Sequence, residues 1–139
     1  LTQLENIWYE GCISAHEHYN WTRYYALNLH SVFYRGTIEW RCFNSTLRAG
    51  RAKAYVNLCL AMSAQAIAQR TSVMRKTVSD NELFTFRVWL VRMGLNGDEF
   101  KNTRDHLLAN LQGNRAWRYD KDCYASSHKN RTSQQEQER

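Results

Sequence analysis

The chain of 139 residues contains no proline, against an expectation of about 5%. Its elements can therefore be broken only by glycine, of which there are 6, and by polar clusters. No apolar run approaches the ~18 residues of a membrane span. The longest, near Leu58 to Ala68, is interrupted by Ser63 and Gln65. No basic and apolar leader of the secretory kind opens the sequence. Its 4 cysteines, Cys12, Cys42, Cys59 and Cys123, form no Cys-x-x-Cys pair, which removes the zinc-ribbon and dithiol readings. There is no glycine-rich phosphate loop, no internal repeat and no long run of like charge. These absences predict a cytoplasmic protein with reduced thiols and no membrane contact. Cys42 and Cys59 are expected as small buried apolar residues.

What is present points to a folded chain. Hydrophobic residues make up 43% and aromatic residues 13%, while 19 Lys and Arg face 13 Asp and Glu, giving a net charge of +6 and a pI near 9.3. A basic balance favours a nucleic-acid, nucleoprotein or acidic partner; the competing reading is a solvated surface, because the charges are dispersed. The size suits one domain. The expected organisation is an α+β domain over residues 1–118 and a polar, peripheral tail over 119–139, where aliphatic residues nearly vanish.

Leu1, Leu4, Ile7 and Trp8 recur at helical spacing and predict an amphipathic helix over residues 1–10, stopped by Gly11. Residues 12–22 read as a loop. Residues 23–34, rich in aromatic and branched side chains, predict a strand, with Leu27 and Leu29 flanking Asn28 in alternation. Arg35-Gly36 predicts a turn, and residues 37–43 a second strand. On that strand Ile38, Trp40 and Cys42 face one side, and Thr37, Glu39, Arg41 and Phe43 the other. The pair forms an antiparallel hairpin over about 23–43. Ala, Leu, Met and Gln then dominate residues 49–70, where Tyr55, Leu58, Cys59, Met62 and Ala66 make a helical stripe. Ser79 and Glu82 match a capping box ahead of a helix carrying Leu83, Phe86, Leu90 and Met93. A further helix opens at Gly97-Asp98-Glu99 and carries Phe100, Leu107, Leu108 and Leu111. The fold class is α+β: a small antiparallel sheet covered by about four helices, with the Ile38, Trp40 and Cys42 face on the long helix.

The hairpin is the chemically informative stretch. Glu39 and Arg41 stand two apart on one strand face, and Asn28, with His30, lies on the partner strand. A carboxylate beside a guanidinium can hold a divalent cation and a phosphate together; the competing reading is an ion pair on an outer face. His16, Glu17 and His18 with Cys12 give only a weak zinc signal. Trp89, Trp117, Phe84 and Phe86 lie near Arg87, Arg92, Arg115 and Arg118. Arg115, Trp117 and Arg118 are the better partner-binding candidates there.

Residues 23–31 (Arg-Tyr-Tyr-Ala-Leu-Asn-Leu-His-Ser), the segment from Gly36-Thr37-Ile38-Glu39-Trp40-Arg41 to Leu47, the long helix after Ala52, and the stretch from Gly97 to Trp117 together resemble the amidoligase family over about residues 16–118. That family is similar in fold to glutamine synthetase and the glutamate–cysteine ligases. The resemblance implies ATP-dependent joining of a carboxylate to an amine through an acyl phosphate. It also implies Glu39 as a metal ligand, Arg41 as a holder of phosphate or carboxylate, and Asn28 as a polar wall of that site, with Arg41 and Asn28 as the catalytic pair and Mg-ATP as cofactor. The chain lacks the family's opening acidic strand, in which a glycine precedes two glutamates one residue apart. A C-terminal part of the ligase-like fold, or a shortened derivative, is therefore expected.

Three readings follow. The first is a non-catalytic binder on this scaffold, needing no cofactor. Because the family is common in phages and mobile elements, such a binder is expected to inhibit a host protein or nucleoprotein complex, for example a CRISPR nuclease. The second is the ligase itself, completed from upstream or by a partner. The third is a nonspecific nucleic-acid binder. An open sheet face also favours a homodimer.

Overall fold

The computed structural model describes residues 1–11 and 17–119. Cys12, His16 and Cys123, and the polar tail beyond Tyr119, lie outside the described residues. Among the described residues the architecture is α+β, the class the sequence predicts, with five α-helices rather than about four and a two-stranded antiparallel sheet. It divides into two compact units, residues 1–45 and 46–139, each with its own buried set.

The first unit carries α1 (Thr2–Trp8), a short 3-10 helix (Trp21–Tyr24), β1 (Leu27–Asn28), α2 (His30–Arg35) and β2 (Glu39–Trp40). The first helix stops at Trp8, earlier than the expected end at Gly11: Tyr9 is its C-cap, Glu10 takes the left-handed place at φ 52° with its N–H on the Ile7 carbonyl at 3.4 Å, and the Gly11 N–H reaches the Asn6 carbonyl at 3.1 Å. The inner side of α1 differs from the predicted stripe. Leu4 and Ile7 are exposed, whereas Trp8 is half-buried and Tyr9 is buried. Aromatic geometry explains the choice. The Trp8 ring meets Tyr25 edge-on at 5.2 Å, and its Nε1 donates to Thr22 Oγ1 at 3.0 Å. Tyr9 packs against Phe33 and hydrogen-bonds through its hydroxyl to Nδ1 of buried His30. Edge-to-face pairs contribute about 0.5–1.5 kcal/mol beyond burial, and the indole and the phenol also make hydrogen bonds that Leu4 and Ile7 cannot.

The predicted strand over 23–34 is overturned. Only Leu27 and Asn28 pair, opposite Trp40 and Glu39 respectively. Residues 30–35 turn into α2, and His30 is helical, not on a strand. Leu29, Val32 and Phe33 are residue types common in strands, but their i, i+3, i+4 spacing is helical. Gly36, at φ 69°, closes α2 as a left-handed cap, its N–H on the Val32 carbonyl. The Arg-Gly pair is thus a helix C-terminus rather than a hairpin turn. The second strand shrinks likewise from 37–43 to Glu39–Trp40. With so short a ladder, the face expected to be buried is not: Ile38 is 47% exposed and Cys42 is exposed. The expected burial of Cys42 is therefore corrected, and Cys59 is only half-buried.

Burial raises the Tyr9 phenol above its ordinary value, and nearby Tyr34 and Glu5 add to the effect. A raised folded-state value means that the protonated phenol stabilises the fold fully below about pH 10. That stabilisation is lost as pH rises through the folded-state value. Tyr9→Phe is expected to cost about 1 kcal/mol at pH 7, for the lost bond to His30, and to flatten the alkaline loss of stability above pH ~10. Urea titrations across the alkaline range check both.

The second unit carries α3 (Ala49–Ala68), α4 (Glu82–Arg92) and α5 (Lys101–Leu108). α3 packs on α5, and α5 on α4. Ala54, Leu58, Leu83, Leu90, Leu95 and Leu108 form the buried set. The predicted α3 stripe is correct at Tyr55, Leu58, Cys59 and Met62 but runs out at Ala66, which is exposed. Asn57 Nδ2 donates to buried Thr103 Oγ1 at 2.9 Å, a polar tie between α3 and α5. Arg104 holds the α4–α5 connection by donating to the carbonyls of Leu95 and Gly97, both at 2.9 Å.

The capping box on Ser79 and Glu82 is also corrected. Asn81 is the N-cap, and its Oδ1 accepts from Phe84 N–H at 3.0 Å. Asparagine caps at least as well as serine. Once Asn81 holds that place, Glu82 falls in the first helical position, too early to close a box. The Asn81 Nδ2 donates to the carbonyls of Asn114 and Trp117, at 3.1 and 2.7 Å. That amide pins the chain after α5 to the start of α4. Gly113, at φ 125°, passes so close that a Cβ there would land on Asn81 Oδ1.

Candidate functional site

The short ladder of the first unit places the three predicted site residues together. Asn28 and Glu39 are cross-strand partners. Arg41 follows β2 and is fixed by its own N–H, which donates to the Ala26 carbonyl at 2.7 Å. Asn28 is 2% exposed, and its Nδ2 donates to Glu39 Oε2 at 2.7 Å and to Ser31 Oγ at 3.1 Å. Its amide orientation follows from chemistry: the reverse setting would turn a carbonyl oxygen onto a carboxylate. The Asn28 Oδ1 is buried and accepts no hydrogen bond among the described residues.

The other oxygen of Glu39, Oε1, accepts from Arg41 Nη1 at 3.0 Å. Both side chains are partly exposed, 32% for Arg41 and 46% for Glu39. Such a pair contributes about 0–1 kcal/mol to stability. Its consequence is orientation rather than energy. The Arg41 guanidinium also lies over the Tyr24 ring, 5.4 Å from its centroid, and Arg23 approaches the same ring at 5.7 Å and Tyr19 at 5.3 Å. Each exposed cation–π contact is worth about 0.5–1 kcal/mol. Arg41 is therefore gripped by a carboxylate on one edge and an aromatic face beneath. A guanidinium has five N–H donors, so those not turned to Glu39 remain for an anion. Glu39 cancels the charge of Arg41, and Arg23 leaves the cluster with one positive charge over.

His30, placed by the sequence on the same strand face, instead points into the unit and meets Tyr9. Sequence reasoning missed Tyr24 and Ser31. The adjacent Arg23-Tyr24 pair was the available signal for the first, and Ser31, three residues after Asn28, for the second. Among the described residues, no group of three or more His, Cys, Asp or Glu could hold a metal ion. His18 is exposed, and its proposed zinc companions Cys12 and His16 lie outside the described residues. No helix among the described residues is long and apolar enough to cross a membrane.

The second set of candidates sits after α5. Arg115 is engaged by Asp105 at 3.0 Å, and its carbonyl accepts from Arg87. Trp117 is 46% exposed, with its carbonyl on Asn81. Arg118 lies beside the Tyr119 ring and lines a cleft against α4.

No curated protein and no solved structure matches the chain. A family match does exist, and its span differs from the expected 16–118. It starts at residue 1 and ends within α3, so the stretch from Gly97 to Trp117 lies outside it. Residues 1–63, which carry Asn28, Glu39 and Arg41, match the family model described as "Putative amidoligase enzyme", and the N-terminal part of the chain is amidoligase-like.

Proposed function

We propose that this chain is an amidoligase-like binding protein that grips an anionic group of its target through Arg41, and that by itself it does not perform the ligase reaction. The observation that carries this reading is the commitment of the Glu39 carboxylate. One oxygen is held by Asn28 and the other by Arg41. Magnesium takes oxygen ligands in a near-ideal octahedron and is bound through one or two carboxylates plus phosphates. A cation at Glu39 would have to use the lone pairs left over by Asn28 and Arg41 and sit beside a guanidinium whose charge repels it. The residues as placed do not fit a resident magnesium ion. They do fit an oriented arginine, the side chain best suited to planar, two-pronged recognition of carboxylate or phosphate.

The target class we favour is a protein or nucleoprotein complex, as for an inhibitor encoded by a phage or mobile element and aimed at a host nuclease of the CRISPR kind. The test is capture from host lysate by wild-type protein and by Arg41→Ala. A stoichiometric partner retained by the first and lost with the second is the expected result. Equal recovery by both, or no stoichiometric partner, overturns the reading.

A second reading, the ATP- and magnesium-dependent carboxylate–amine ligase, is favoured by the family match over the hairpin. It would need a phosphate to neutralise the Arg41 guanidinium, so that a cation can settle on the remaining lone pairs of Glu39. It predicts calorimetric binding of Mg-ATP at millimolar nucleotide that Glu39→Gln abolishes. The binder reading predicts no such heat.

A further inference from the structure

We propose that the second unit binds single-stranded nucleic acid in the open cleft between residues 76–79 and α4. The cleft has a volume of about 1000 Å³, and Lys76, Glu82, Phe86, Trp89, Arg92 and Arg118 are among its lining residues. That volume is at the upper end for small-ligand sites; an open shape suits a chain more than an enclosed molecule.

Charge selects the occupant. Residues 46–119 hold twelve Lys and Arg against five Asp and Glu, whereas residues 1–45 hold three against four. The basic excess of the protein therefore belongs to the unit with the cleft. Lys76, Arg92 and Arg118 are all exposed, and Glu82 is the one acid among the lining residues. Phe84, Phe86 and Trp89 supply aromatic rings to the lining, and Tyr119 stands outside it beside Arg118. Phe86 and Trp89 stack at 5.5 Å with their planes 25° apart, and Arg118 lies 5.4 Å from the Tyr119 ring. Cations flanking stacked rings are the recurring solution for unpaired bases on a phosphate backbone, because every base has a π-face. A duplex hides those faces, and an acidic peptide has none to offer the rings. This site is independent of the hairpin, so the two stand or fall separately.

Fluorescence anisotropy with labelled oligo-dT at low salt tests the proposal. Nonspecific affinities fall at about 1–100 μM, and binding is expected within that range. Single strands lose about 0.7 in log K per decade of salt for each phosphate neutralised. Three cations then give a slope of about −2. Lys76→Ala/Arg92→Ala/Arg118→Ala changes only exposed side chains, so the fold is expected to persist. It should cost about tenfold or more in affinity and bring the slope near zero. Trp89→Phe should retain binding but lose most of the quenching of tryptophan emission by the oligonucleotide. Lys53→Ala, at an exposed cation that does not line the cleft, should bind as wild type. Absence of binding at low salt, a triple variant that binds like wild type, or polyglutamate competing as well as oligo-dT would each overturn the proposal.

Discussion

Replacing Asn28 by Asp is expected to destabilise the first unit by about 3–5 kcal/mol at pH 7. The substitution is nearly isosteric, so the loss would come from electrostatics alone. Asn28 is buried, and its Nδ2 is 2.7 Å from Glu39 Oε2. An aspartate there sets one carboxylate against another in a site with little water and also withdraws the donor to Ser31 Oγ. Burial and a like charge both raise the folded-state pKa of the introduced acid above its unfolded value near 4. The sign follows directly. A raised value means that the variant is most stable below pH ~4 and loses stability as pH rises through the folded-state value. The gap to wild type should therefore widen between acid and neutral pH. Adding Glu39→Gln should recover much of the loss, because a glutamine amide can donate to the new carboxylate. The Arg41 amide, bonded to the Ala26 carbonyl, reports opening of this hairpin by hydrogen exchange. A pH-independent deficit, or no recovery in the double variant, would mean that Asn28 and Glu39 are not coupled.

The second large effect is expected at Asn81. This side chain caps α4 through Oδ1 and holds the carbonyls of Asn114 and Trp117 through Nδ2. Asn81→Ala loses the cap, worth about 0.5–2 kcal/mol, and two hydrogen bonds of about 1 kcal/mol each. The total is about 2–4 kcal/mol by denaturant titration. Asn81→Asp separates the two roles. Aspartate caps a helix as well as asparagine does and suits the positive end of the helix dipole. If capping were the whole role, the aspartate variant would match wild type. It is instead expected to be at least as unstable as the alanine variant, because its carboxylate would face two carbonyl oxygens.

These two asparagines show how far the sequence could be read. That Asn28, Glu39 and Arg41 could share a face was legible from period-two spacing, but the register was not: a tight turn at Arg35-Gly36 would set Asn28 against Phe43, whereas α2 fills that stretch and Asn28 pairs with Glu39. Nor was the extent of the strands. Leu29, Val32 and Phe33 have strand-like composition but helical spacing, and Gly36 can end a helix or make a turn. Tyr9 and His30 decide the matter through a contact 21 residues apart, which no local pattern carries. α3 was legible because composition and a repeated stripe agree over many turns. Asn81 was passed over because Ser79 and Glu82 match a two-residue signature, whereas its competing partners lie more than 30 residues downstream. Arg115 looked like an open binding residue for the same reason: Asp105 is ten positions away.

The reading of the first unit rests on Glu39 as an internally engaged carboxylate that orients Arg41. Paramagnetic titration with Mn²⁺, which shares the all-oxygen octahedral preference of magnesium, tests it most directly. In NMR spectra of the whole chain with Mn²⁺ and ATP, the account predicts no saturable broadening of the Asn28 side-chain amide signals, in wild type or in Glu39→Gln. Saturable broadening of those signals in wild type, abolished in Glu39→Gln, would contradict it.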